Sequence, residues 1–160
     1  KDLKYMSDLT ELFLYAAARA QHVQETIVPA LAKNQIVICD RFVASSVAYQ
    51  AYGRGIDIAT VNRVNSIAVG NCMPDVTFYL HTSIEEASRR RSGRSNRLDR
   101  IEGEGDIFQK RVFDAYLEIA KSDSKGFEVD SAKNIEVTAK NVFNHVLDCW
   151  PELRGSKEIS

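Results

Sequence analysis

The chain has 160 residues, 44% of them hydrophobic and 27% charged, with 21 Lys and Arg against 22 Asp and Glu for a net charge of −1. That is enough apolar material for one domain with a real core, and so neutral a balance argues against a general nucleic-acid binder. No run of about 18 apolar residues occurs, so no membrane span is expected, and Lys1-Asp2-Leu3-Lys4 does not read as a signal peptide. The cysteines Cys39, Cys72 and Cys149 are far apart and form no C-x-x-C pair, which suits reduced thiols in a cytoplasmic protein.

In chain order, Ser7 to Lys33 carries a helical pattern. Ser7 is a suitable N-cap, Leu9, Leu12, Phe13, Ala16, Ala20 and Val23 recur at spacings of three and four, and Asn34 is a suitable stop. Pro29 is placed to kink or restart this helix. Ile36–Asp40 reads as a buried strand. Residues 44–52 read as helix, broken by Gly53-Arg54-Gly55, and Asp57 caps a helix to about Ala68 that Gly70-Asn71 ends. Asp75–His81 reads as a second buried strand. Ser83 caps a helix running into an arginine-rich stretch, and residues 105–121 form another helix. Phe127–Asp130 is a short strand, 134–149 the last helix, and 151–160 a frayed tail. Strands alternating with helices predict an α/β fold with a mainly parallel sheet in a single domain, 1–160. Three strands are few for such a sheet.

Three constellations suggest chemistry. Tyr15 and Arg19, four residues apart, project from one helix face. A flat aromatic beside a fork of donors suits a planar base, the plainer reading being a core tyrosine and a surface arginine. Asp40-Arg41 follows a buried strand, where an open α/β sheet binds ligands. There an Asp can organise Mg²⁺ and an Arg can clamp phosphate, the plainer reading being an ion pair at the sheet rim. Finally, Arg89, Arg90, Arg91, Arg94, Arg97 and Arg100 form a run broken by Gly93 and small polar residues. Such a run suits a lid, at 89–104, that closes over polyphosphate; a solvated charged helix is the bland reading, and a nucleic-acid patch is disfavoured by net charge. His22, His81 and His145 have no neighbours at metal-ligand spacing.

Five segments taken together resemble the bacterial thymidylate kinases: T-E-L-F-L-Y-A-A-A-R-A-Q-H-V, I-V-I-C-D-R-F-V-A-S-S-V-A-Y-Q-A-Y-G-R-G, P-D-V-T-F-Y-L, R-L-D-R-I-E and F-Q-K-R-V-F-D-A-Y-L-E-I-A, in that order from about Leu9 to Val146. The resemblance implies a P-loop, nucleoside-monophosphate-kinase-like fold, a parallel sheet flanked by helices, and ATP-dependent conversion of dTMP to dTDP with Mg²⁺. It implies that Tyr15 stacks on thymine, that Arg19 reaches thymine O4, and that Ser46 and Gln50 meet the base edge. Tyr49 falls under the deoxyribose. Asp40 and Arg41 fall near Mg²⁺ and the dTMP phosphate, and Arg94, Arg97 and Arg100 belong to the catalytic lid. Asp130-Ser131-Ala132 matches the loop beside the adenine of ATP. It also implies a homodimer through the helices at Ser7–Lys33 and 57–68; from the net charge and the lack of a long apolar run, no nucleic-acid or membrane partner is expected.

The Gln50 amide can pair with thymine, but a free amide can also flip to suit cytosine. Arg19 is donor-only, so it suits O4 and rejects an exocyclic amine, and discrimination is expected to rest more on Arg19. No G-x-x-x-x-G-K-[ST] occurs in the 160 residues. The resemblance places that loop, with two strand–helix units of roughly 50 residues, ahead of Lys1, its first strand between Ile36–Asp40 and Asp75–His81. Smaller departures are Tyr15 for the usual Phe and Leu80-His81-Thr82 where Asp often follows the strand. The alternatives are a catalytically inactive nucleotide-binding fragment, or another nucleoside or nucleotide kinase of the same fold.

Overall fold

The computed structural model describes residues 5–92, 104–132 and 134–155. They fall into two compact units, one of 5–74 with 104–119 and the other of 75–92 with 120–132 and 134–155.

The first unit opens on α1 (Asp8–His22), where the Ser7 side chain accepts the Thr10 N–H, as expected of its N-cap. The helix widens into a π-helical segment (Val23–Ile27) and recovers as α2 (Val28–Leu31), with Pro29 in its first turn, where a missing N–H costs least. Asn34, at φ 56°, ends it. After an extended stretch come α3 (Val43–Ser46), a second π-helical segment (Val47–Gly53), and α4 (Ile58–Val69). The Asp57 carboxylate caps α4 by accepting the Thr60 N–H at 2.8 Å, and Gly70 ends it at φ 55°.

Burial explains the spacing. Leu12 from α1, Ala51 from the second π segment and Val61 from α4 interlock and are all but sealed from solvent. Leu12 and Val61 each contribute about 1.5–3 kcal/mol on leaving water. Val23, Ile27 and Val69 form a second cluster, against which Val37, Cys39, Phe42 and Val43 pack. The third joins Ala48 to Phe108, Val112 and Ala115 of α6 (Asp106–Ser122).

The strand expected at Ile36–Asp40 is not formed. Residues 35–39 are extended but carry no ladder, because the sole sheet among the described residues lies elsewhere. Val37 and Cys39 face the core, while Ile36 and Ile38 are 70% and 91% exposed. The apolar run is therefore half-covered, not buried on both faces.

The second unit holds β1 (Thr77–His81) and β2 (Gly126–Asp130), paired in parallel from Thr77↔Gly126 to His81↔Asp130. β1 starts two residues later than the apolar run suggests. α5 (Ile84–Ser92) follows β1, with Ser83 accepting the Glu86 N–H, and α7 (Ile135–Cys149) follows β2, capped by Asn134. Phe127 stacks on His145 of α7 at 4.8 Å and on Phe78 across the sheet at 5.8 Å. Pro151–Gly155 adds a 3-10 turn. No helix among the described residues is long and apolar enough to cross a membrane.

Candidate active site

The first unit gathers Arg19, Ser46 and Gln50, with Arg41 and Tyr49 beside them. Arg19 leaves the last turn of α1 and spends its guanidinium on three acceptors. Nη1 donates to Asn65 Oδ1 at 2.7 Å, and Nη2 donates to Ser46 Oγ at 2.9 Å and to the Phe42 carbonyl at 3.2 Å. Its Cζ lies 5.6 Å from the Phe42 ring centroid. Burial lowers its pKa below the ordinary arginine value, yet the group stays charged. Asn65 is itself fixed, donating from Nδ2 to the Val43 carbonyl at 3.2 Å. Tyr15 is one helical turn before Arg19 and 44% exposed.

Arg41 stands at φ 66°, in the left-handed region that an arginine seldom adopts. Its Nη1 donates to the Tyr49 hydroxyl at 3.0 Å, and its Cζ sits 5.4 Å from the centroid of that ring. Tyr49 is braced edge-on by Tyr116 at 6.2 Å and by a tilted Phe108 ring at 6.3 Å. The Tyr116 hydroxyl bonds Ser45 Oγ at 2.9 Å, and burial pushes its pKa up. Asp40, next to Arg41, is exposed.

Gln50 is 2% exposed, one turn beyond Ser46, and its Nε2 donates to Glu11 Oε1 at 3.1 Å. Glu11, 3% exposed, also accepts from Arg54, whose Nε and Nη2 reach Oε1 and Oε2 at 3.2 and 3.1 Å. Arg54 pairs further with Glu104 and Asp8 and lies 4.7 Å from the Phe108 ring centroid.

The remaining expected residues lie elsewhere. Asp130, Ser131 and Ala132 belong to the second unit. There Ser131 donates from both N and Oγ to the His81 carbonyl, Asp130 Oδ1 accepts the Ala132 N–H, and Arg90 Nη2 donates to the Ser131 carbonyl at 2.9 Å. Arg94, Arg97 and Arg100 lie outside the described residues. A cleft of about 280 Å³ runs between β2 and α7, lined by Glu128, Asp130, Asn141, His145 and Asp148 among others. Its carboxylates make it a poor seat for polyphosphate. Of the polar residues that hold the first-unit site, Glu11, Arg54 and Tyr116 fall within the family-like segments but with no role assigned to them there, and Asn65 falls in none. Their partners are 22 to 71 residues away in sequence.

Comparison with known proteins settles the family. The family model described as thymidylate kinase matches residues 2–142. The chain belongs to the thymidylate kinase family. The thymidylate kinase of Exiguobacterium sibiricum is 40% identical over 147 residues, covering 91% of this chain and 69% of the relative. That of Geotalea uraniireducens is 40% identical over 152 residues, covering 91% and 71%. The crystal structure of thymidylate kinase from Ehrlichia chaffeensis aligns at a TM-score of 0.67 and 28% identity, over 89% of this chain and 66% of that one. The fold class is thus the nucleoside-monophosphate-kinase one that the motifs imply. The chain spans about two thirds of the length of these thymidylate kinases.

Proposed function

We propose that this chain carries the nucleotide-acceptor site of an enzyme that moves the γ-phosphoryl group of ATP onto the 5′-phosphate of dTMP, giving dTDP and ADP. The observation that carries this reading is the convergence of Arg19 and Ser46, bonded at 2.9 Å, with Tyr15 a turn away on the same helix and Gln50 a turn beyond Ser46. An aromatic face, a donor-only fork and an amide are the groups that a thymine ring needs for stacking, O4 and N3–H.

In the reaction a phosphate oxygen of dTMP attacks the γ-phosphorus in line, a new P–O bond forms, and the bond to the β–γ bridging oxygen breaks, its electron pair leaving with ADP. Arg41 clamps the acceptor phosphate, and Tyr49, which holds Arg41 by its hydroxyl, lies under the sugar, where it disfavours a 2′-hydroxyl. Arg94, Arg97 and Arg100, in a lid at 89–104, neutralise the charge on the transferring group. Asp130, Ser131 and Ala132 flank the adenine.

Mg²⁺ needs only one or two carboxylates when phosphates supply other ligands, and the exposed Asp40 beside Arg41 fits that role, directly or through water. When bound, the ion would offset phosphate charge. Three free thiols suit a cytoplasmic enzyme. Exposed Leu9 and Phe13 on α1 and Ile58 and Ile67 on α4 support a homodimer through those helices, which sedimentation would report.

Calorimetric titration with dTMP, dUMP, dCMP and dGMP tests the site. Binding led by dTMP is expected, and equal binding of dCMP would overturn the reading. Release of ADP from ATP with dTMP separates a kinase from a chain that only binds.

A further inference from the structure

A glutamine that reads a base edge has an ambiguity built into it, since rotating the amide by half a turn exchanges a donor for an acceptor. Here that rotation is blocked. Glu11 is almost fully buried, and its Oε1 accepts from Gln50 Nε2 at 3.1 Å. Arg54 grips the same carboxylate with two N–H groups, at 3.2 and 3.1 Å, and so holds it as an acceptor-only anion. Turning the Gln50 amide would set two oxygens against each other in a buried place, one of them charged. Among the described residues Gln50 Oε1 accepts no hydrogen bond, and the sole fully buried side-chain polar atom without a partner is Thr82 Oγ1. Gln50, 2% exposed, therefore keeps an acceptor in reserve.

We infer that Glu11, held by Arg54, is a specificity-determining positioning residue that locks Gln50 with its amide oxygen as the group offered to the base. This rests on the reading of the site as a pyrimidine nucleotide site. An offered oxygen accepts the N3–H of thymine or uracil and repels the N3 lone pair of cytosine. Glu11 touches no ligand; it acts through Gln50. The lock removes the ambiguity of a free amide, so Gln50 discriminates alongside Arg19.

The test is calorimetric binding of dTMP and dCMP to the 160-residue chain and to Glu11→Gln, Gln50→Met and the double variant. Glutamine at position 11 both donates and accepts, so Gln50 is free to turn. The ratio of dTMP to dCMP affinity is expected to narrow by about tenfold in Glu11→Gln. In the Gln50→Met background the same change is expected to leave the ratio where Gln50→Met alone puts it. An unchanged ratio in Glu11→Gln, or equal narrowing with and without Gln50, overturns the lock and leaves the site assignment standing. A parent chain with no preference for dTMP overturns the site assignment itself. Should Glu11→Gln fail to fold by circular dichroism, Arg54→Lys gives the second reading. It keeps the charge, loses the two-point grip, and is expected to narrow the ratio by about threefold; no narrowing overturns the proposal.

Discussion

Arg19 on α1 and Asn65 on α4 are joined by a 2.7 Å hydrogen bond from Nη1 to Oδ1, across 46 residues of sequence. Asn65 is 3% exposed, and its own amide is tied to the Val43 carbonyl, so it cannot drift with its partner. Asn65→Leu keeps the volume but strands two part-buried partners, the Arg19 guanidinium and the Val43 carbonyl. It is expected to cost about 1–3 kcal/mol in urea unfolding and to weaken dTMP binding. Unchanged dTMP affinity in a destabilised variant would mean that Asn65 serves the core alone.

Arg19 offers only donors. Arg19→Met should therefore lower dTMP affinity far more than dCMP affinity, because an exocyclic amine has nothing to gain from the guanidinium. Competition binding of the two nucleotides measures this directly. A variant that weakens both equally would show Arg19 to be a structural tie between α1, Phe42 and Ser46, with no part in discrimination.

Arg54 is the counter-ion of a carboxylate that water hardly reaches. Arg54→Met removes the guanidinium paired with the buried Glu11 carboxylate, and breaking a buried ion pair from one side typically costs about 3–5 kcal/mol. The denaturant midpoint is expected to fall accordingly. A double change of Glu11 and Arg54 to apolar residues should recover much of that loss, since the cost comes from an uncompensated charge and not from lost volume.

These pairings explain what could be read in advance and what could not. Ser7, Asn34, Asp57 and Gly70 act locally through one or two backbone groups, and each one punctuates its helix as its residue type predicts. The apolar run at Ile36–Cys39 misleads because a ladder needs a second strand, which the run itself cannot reveal. The π-helical widening at Val23–Ile27 and Val47–Gly53 depends on how neighbouring helices pack, so periodicity misses it. Within the site, Tyr15 with Arg19 and Asp40 with Arg41 are visible as close pairs. Glu11, 39 residues from Gln50, looks like nothing more than an acidic first-turn residue.

Glu86 sets an acid limit on α5. Side-chain bonds from Arg89 and Arg90 hold its carboxyl near a pKa of about 2, against an ordinary 4.5. A depressed folded-state pKa stabilises the fold above the ordinary value and loses that contribution as the pH falls through the folded one. The stability difference between the parent chain and Glu86→Gln should be present at neutral pH, shrink below about pH 4.5 and vanish near pH 2. Thermal melts across that range check it, and a difference that persists at pH 2 would point to helix capping and not to the arginine pairs.

Arg41 separates function from stability. Its backbone, at φ 66°, bears a left-handed conformation that costs a residue with a Cβ roughly 1–2 kcal/mol and costs glycine almost nothing. Both Arg41→Ala and Arg41→Gly give up the Tyr49 hydrogen bond and the stacked guanidinium, but only glycine relieves the backbone. Part of that relief is offset by the greater entropy of glycine in the unfolded chain. Arg41→Gly is expected to unfold about 0.5–1 kcal/mol later than Arg41→Ala, while both bind dTMP equally poorly because the phosphate has lost its clamp. If the glycine variant retains dTMP affinity, the phosphate is held elsewhere, and the strain at Arg41 then has no bearing on the acceptor nucleotide.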